Sequence, residues 1–233
     1  MIRIIPAKDR HSADHGWLKP TWLFSFADYH DEDNMQFGTL RVFNDDVIAA
    51  GTGFGMHGHR DMEIVTVVLE GAVTHQDSMG NKTVINAGEV QRMSAGTGVM
   101  HSEHNRGATP LHLYQVWFPP RKTGIKPDYE QRDYSAVPRA NRLLPVVSGF
   151  GHAEAMAINS DAVMSLADLE PGKSITVPLA DGRGLFIYVM GGTLTVNGKP
   201  LAVHDQARIS GEKEVTITGI TQAKIITVEV TGV

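Results

Sequence analysis

The chain has no cysteine among its 233 residues. That excludes a disulfide framework, a thiolate zinc site and a cysteine nucleophile. No apolar run approaches the roughly 20 residues that a membrane helix needs. The opening stretch, MIRIIPAKDRHSADHGW, lacks the apolar core of a secretory signal. The expectation is a cytoplasmic protein with no membrane partner. Basic residues are outnumbered, 21 Lys and Arg against 26 Asp and Glu, for a net charge of -5. Without a basic stripe there is no electrostatic footprint for direct nucleic-acid binding. Helical periodicity is weak throughout.

What is present is ordinary globular composition, 42% apolar and 20% charged. The length suits one large core or two compact domains of about 100 residues each. Short runs rich in Val, Ile, Thr and aromatics alternate with glycine punctuation, as in EIVTVVLEGAVTHQDSMGNKTVINAGEV and LHLYQVWFP. These read as strands of an all-β sandwich or barrel. MGNK, from Met79 to Lys82, and VNGK, from Val196 to Lys199, read as hairpin turns, the second more strongly because Asn-Gly favours a two-residue hairpin loop. A helical turn is expected near Tyr129 to Ser135.

Prolines and charges gather between Pro119 and Pro145, which predicts a linker lying on the surface. Beyond it the pattern repeats. GLFIYVMGGTLTVNGKPLAVHDQARIS resembles MEIVTVVLEGAVTHQDSMGNKTVINAGEVQRMS, so the chain reads as two copies of one β domain, 1–130 and 131–233. Only the first copy carries H-x-H; the second has just His152 and His204.

Side chains two apart on a strand share a face. His57 and His59, in GFGMHGHRDMEIV, therefore point one way, and Asp61 and Glu63 join them if the strand continues. In SAGTGVMHSEHN, His101 and Glu103 form a second such pair, while His104 points away. Two strands that each present a ligand pair inward can meet around one point. Three imidazoles and a carboxylate suit iron, manganese, nickel, cobalt, copper or zinc, with positions left open for substrate or oxygen. Either Glu63 or Glu103 could supply the carboxylate. Lone histidines such as His75 and His112 are expected to be satisfied by ordinary hydrogen bonds. His11, His15 and His30 lie in an irregular stretch and are expected to be structural or exposed. Gly88, Gly96 and Gly98 fit turns, and Asn105 is expected to fix a loop.

GTGFGMHGHRDME, from Gly51 through His57, His59 and Glu63, resembles the first cupin motif, and GEVQRMSAGTGVMHSEHN resembles the second. More narrowly, these stretches, with DHGW and LHLYQVWF, resemble the pirin family. The resemblance implies two tandem cupin barrels (double-stranded β-helix, jelly-roll), with metal ligands in the N-terminal one only. Pirins use the glutamate of the H-x-E pair, which implies the ligand set His57, His59, His101 and Glu103 around one divalent metal ion, Fe(II). Asp61 and Glu63 are then expected to orient an imidazole.

Similar bacterial pirins imply a quercetin 2,3-dioxygenase activity. A flavonol or similar aromatic enol would be cleaved with O2 and release CO, with Glu103 also the catalytic base. Trp22, Phe24, Phe26, Trp117 and Phe118 are available to line a planar pocket. A similar mammalian pirin implies an alternative, a non-enzymatic iron-dependent redox sensor that binds a protein partner. A sugar-modifying cupin is a third reading. It would want a basic residue such as Arg60 or Arg92 in the pocket.

Overall fold

The computed structural model describes residues 1–233. Helix is confined to two single 3-10 turns, Ala7–Asp9 and Glu32–Asn34. The rest is strand and turn, arranged as two seven-stranded and two four-stranded sheets. No helix is long and apolar enough to cross a membrane.

The N-terminal barrel has a large sheet ordered Asp128–Asp133, Glu89–Ser94, Glu63–Glu70, Leu111–Phe118, Val42–Ile48, Leu18–Trp22, His11–Ser12. Its small sheet is ordered Gly53–His59, Val99–His104, Ala72–Asp77, Lys82–Asn86. The C-terminal barrel repeats this topology. Its large sheet runs Ile2–Ile5, Gln206–Ser210, Arg183–Gly191, Ala223–Thr231, Val163–Leu169, Leu144–Ser148, Met156–Ala157. Its small sheet runs Ser174–Pro178, Glu214–Gly219, Leu194–Val196, Lys199–Leu201. The two sheet orders correspond strand for strand except at one edge, where His11–Ser12 pairs antiparallel and Met156–Ala157 parallel. The repeat read from the sequence is therefore a repeat of whole barrels.

Each large sheet is buried on both faces, and strand alternation decides which residue goes where. Phe43, Tyr114, Val116, Phe118, Val65 and Val67 face the other barrel, where they meet Phe186, Tyr188, Ile226 and Val228 in a shared cluster of 24 buried residues. Phe43 sits 5.3 Å from Phe186 and 5.2 Å from Tyr188 between ring centres. Across the same joint Asp45 accepts from Tyr188 Oη (2.7 Å), and within its own sheet it accepts from His112 Nε2 (2.6 Å). His112 is thus satisfied locally, as expected.

The barrels also exchange edges. Ile2–Ile5, the first strand of the chain, pairs with Gln206–Ser210 and completes the C-terminal sheet. Asp128–Asp133 pairs with Glu89–Ser94 and completes the N-terminal sheet. This corrects two expectations. The stretch Tyr129 to Ser135 is no helical turn, because residues 128–133 are needed to cover an open sheet edge. Nor is residues 119–145 a surface linker throughout: Tyr134 is buried, with its hydroxyl donating to the carbonyls of Val146 and Glu154, both at 3.0 Å. Residue 130 falls inside the edge strand.

The hairpins form where expected. Asn197 and Gly198 both take positive φ, 45° and 78°, between paired strands, as a primed two-residue turn requires. Residues 78–81 join Ala72–Asp77 to Lys82–Asn86. Gly96 has φ 47°, and a Cβ there would collide with the carbonyl of Ile125, so this turn needs glycine. Asn105 fixes its loop by donating to the carbonyls of Ile48 and Thr109 and accepting from the Gly107 amide.

Candidate metal centre

Gly53–His59 and Val99–His104 lie side by side, with His57 directly opposite His101 and His59 opposite Val99. The inward faces of the pair bring His57, His59 and His101 together. Their rings are 4.4 to 4.9 Å apart between centres, and each offers a ligand atom within 4.8 Å of the others. A register shift between His101 and Glu103 places Glu103 opposite Phe54. Glu103 lies within the same 4.8 Å span of His101 and His75, so His101 belongs to two clusters at once.

The donor set fits a cation. Nε2 of His59 and both ring nitrogens of His101 are buried without a hydrogen-bond partner. Such atoms are costly to bury unsatisfied, and a metal ion would complete them. Burial, then the neighbouring imidazoles, lowers the His59 pKa to about 4 and that of His101 to about 3. Both are neutral at physiological pH, the form that binds metal. His57 Nδ1 lies 2.8 Å from the carbonyl of Gly55. A carbonyl only accepts, so Nδ1 carries the proton and Nε2 is free to face the cluster.

Glu103 is 3% exposed. Burial pushes its carboxyl up to about 7, against the opposing bonds from Thr66 and Gln115. Gln115 Nε2 donates to Glu103 Oε2 at 2.7 Å, and Trp117 Nε1 donates to Gln115 Oε1 at 3.2 Å, so an aromatic wall residue helps to aim the carboxylate. Oε1 is held only by the Thr66 hydroxyl, at 3.4 Å.

Asp61 and Glu63 do not orient an imidazole. The first strand ends at His59, and Asp61 turns with φ 47° before the next strand starts at Glu63. That turn resets the alternation. Ile64 and Thr66 face the interior, and Glu63 faces the other barrel. Its Oε2 accepts from Ser94 Oγ (2.6 Å) and from the backbone amide of Asn159 (3.1 Å). Asp61 accepts from the Gly124 amide at 2.7 Å.

The histidines open into a cavity of about 460 Å³. Trp17, Trp22, Phe26, Phe54 and Trp117 line it, whereas Phe24 and Phe118 belong to the core between the barrels. No Lys or Arg lines it. Arg60 donates to the carbonyl of Thr97, and Arg92 pairs with Asp128 and Glu130. The sugar-phosphate reading therefore lacks its cation. His104 is absent from the lining, while His15 is part of it.

The sequence reading missed Asn44, Asp46 and Gln115, which also line the cavity. The signal was VFNDDVI, three polar residues inside an otherwise apolar strand. His75, expected to be satisfied by ordinary hydrogen bonds, is so only in part: it is fully buried, with Nε2 donating to Asp77 Oδ2 at 3.1 Å and Nδ1 without a partner.

Known proteins agree with this architecture. The family described as Pirin matches residues 6–118, and that described as Quercetinase C-terminal cupin domain matches residues 145–230. A quercetin 2,3-dioxygenase of Escherichia coli (strain K12) is 43% identical over 227 residues, covering 97% of each chain. A pirin-like protein of Caulobacter vibrioides is 41% identical over 230 residues, covering 98% of this chain and 99% of its own. The chain belongs to the pirin family.

The bacterial pirin YhhW from Escherichia coli, solved in complex with nickel(II), superposes with a TM-score of 0.95 at 40% identity, covering 100% of both chains. The two-cupin pirin fold accounts for the duplicated barrels seen here, and a divalent ion in a pirin so similar agrees with the orphaned imidazole nitrogens.

Proposed function

We propose that this pirin is a metal-dependent quercetin 2,3-dioxygenase, which opens the ring of a flavonol or similar aromatic enol with O2 and releases CO. The observation that carries the reading is the juxtaposition of three imidazoles with a buried carboxyl in an aromatic-walled cavity. His57, His59, His101 and Glu103 are the residues that would hold the ion, Fe(II) in this reading. When bound, the metal supplies Lewis acidity toward the substrate oxygen and a redox centre for O2.

The chain does the rest. The walls of Trp17, Trp22 and Trp117 suit a flat ring system and keep water from it. The Glu103 carboxyl, whose burial raises its affinity for a proton, accepts the enol proton on Oε1 while Gln115 holds Oε2 in place. A cation nearby opposes the effect of burial, so proton uptake at Oε1 is tied to that oxygen being free of the ion.

The test is O2 consumption and CO release by protein loaded separately with Fe(II), Mn(II), Ni(II), Co(II) and Cu(II), given quercetin, beside a His101→Ala control. Uptake with CO release that vanishes in the control is expected. No uptake with any metal would overturn the dioxygenase and leave the centre to redox-dependent partner binding.

A further inference from the structure

The large-sheet wall of the cavity carries two polar side chains that the proposed chemistry does not use. Asn44 and Asp46 project inward from Val42–Ile48, 4% and 3% exposed. Oδ1 of each is buried with no hydrogen-bond partner. Asn44 lies across from Gln115 and Asp46 from Leu113. On the other side Asn44 lies across from Trp22 and Asp46 from Pro20. The two therefore sit on the wall that leads from Gln115, the partner of Glu103, toward the strand bearing Leu18 and Trp22. Successive inward positions on a strand are about 7 Å apart, so Asp46 is set well along that wall from Asn44.

The C-terminal barrel shows that the fold does not demand a carboxyl at the Asp46 position, although it too is polar at the Asn44 position. Matching the registers of the two sheets puts Ser165 where Asn44 stands and Ala167 where Asp46 stands, with Thr227 and Ile225 across from them. A buried carboxyl with an orphaned oxygen is a poor packing element, and at that position the sister barrel packs alanine in its apolar core.

We propose that Asn44 and Asp46 are specificity determinants, each accepting a hydrogen bond from a further hydroxyl of the aromatic substrate, remote from the oxygen that faces the histidines. The inference rests on the aromatic-enol reading of this site and narrows its substrate class to polyhydroxylated aromatics. Both orphaned atoms are oxygen acceptors, so the group that completes them is a donor. Protonated or not, a carboxyl retains an acceptor oxygen. Two acidic side chains in the cavity, Asp46 and Glu103, and no cationic Lys or Arg also disfavour a phosphate or carboxylate on the substrate. A site that bonds a substrate hydroxyl discriminates strongly against the analogue lacking it, because its own polar atoms are then left unpaired.

Binding can be read apart from turnover, because all three tryptophans of the chain line the cavity and their fluorescence reports occupancy. Metal-loaded protein is titrated with quercetin and with 3-hydroxyflavone, which has the enol hydroxyl and no other. Wild type, Asp46→Leu, Asp46→Asn and Asn44→Leu are compared, with thermal melting to verify folding. Wild type is expected to bind quercetin about 10- to 100-fold more tightly than 3-hydroxyflavone. In Asp46→Leu the preference should collapse through loss of quercetin affinity, with 3-hydroxyflavone unchanged or tighter, and Asp46→Asn should retain part of it.

An unchanged preference in both leucine variants would overturn the proposal, as would quenching by neither flavonol. Discrimination lost in Asp46→Leu without any O2 consumption by wild type would sustain the specificity wall and sink the dioxygenase. O2 consumption with unaltered discrimination would do the reverse.

Discussion

The interiors of the two barrels differ although their strands correspond. In the C-terminal barrel 17 apolar residues form one continuous core. In the N-terminal barrel the apolar interior is divided into clusters of seven and three residues, and the space between is polar or open. The registers locate the difference. The backbone bonds from Gly51 to the Asn105 carbonyl and from Gly172 to the Gly219 carbonyl align the small sheets, so where His57 faces His101 the second barrel has Val177 facing Val215, and where Phe54 faces Glu103 it has Ile175 facing Ile217. His75 finds Val196 in the corresponding place, and Glu103 across from it finds Ile217. One scaffold thus serves two ends. Filled with aliphatic side chains it is structural support, and with a line of polar substitutions on the same inward positions it becomes a centre with a cavity. The shared cluster around Phe43 and Phe186 lets the filled barrel brace the open one.

The comparison can be broken most directly by making the first barrel like the second. The double variant His57→Ile/His101→Ile gives this pair the aliphatic character of Val177–Val215 in the second barrel. Bound metal, measured by elemental analysis after dialysis, should fall from about one ion per chain to none, since two of three imidazoles are gone, and any O2 consumption should go with it.

Next in size is a stability contrast. Ile217→Ala should cost about 2–5 kcal/mol in urea unfolding, as the loss of a fully buried aliphatic side chain does. His101→Ala, tested in metal-free protein, should cost clearly less, because the imidazole it removes has no hydrogen bonds to lose.

The third contrast is with pH. His59 and His101 have folded pKa values of about 4 and about 3, below the ordinary 6.5 of a histidine. Between these limits they bind more protons in the unfolded chain than in the folded one, so they take stability from metal-free protein as pH falls from about 6.5 toward 3. Glu103, raised to about 7 from 4.5, acts the other way, favouring the folded state at low pH and losing that effect as pH rises to about 7. Asp46 and Glu63, also raised by burial, act with Glu103, so the histidine contribution is read as the difference between wild type and a variant lacking His101. In the His57→Ile/His101→Ile variant, melting temperatures between pH 4 and 7 should fall less steeply, because one of the two histidines is gone.

The smallest effect concerns the joint. Tyr188→Phe removes the hydroxyl that donates to Asp45, and should cost about 1–3 kcal/mol while leaving metal content unchanged.

Much of this was legible in the sequence because it is local. Alternation put His57 with His59 and His101 with Glu103, and Asn197-Gly198 set its own turn. The same rule failed at Glu63, where the left-handed turn at Asp61 reverses the face, and nothing in the spacing of the histidines announces that turn. Asn44 and Asp46 left a trace in VFNDDVI, yet three polar residues in a row do not reveal which ones face a cavity. Phe24 and Trp22 look alike as strand aromatics, and only the packing of one sheet against the other sends the first to the core and the second to the pocket.

The sequence by itself determined the strand character, the duplication, and the pairing of ligand-type residues on common faces, since each follows from dihedral preferences and a period of two. Tertiary structure alone decided the partnerships: His57 against His101, Gln115 on Glu103, and Ile2–Ile5 on Gln206–Ser210 from the far end of the chain. It also decided that one barrel closes into solid core while its twin keeps a cavity. These are matters of register and burial between segments distant in sequence, and they are fixed only when all the strands compete for the same interior.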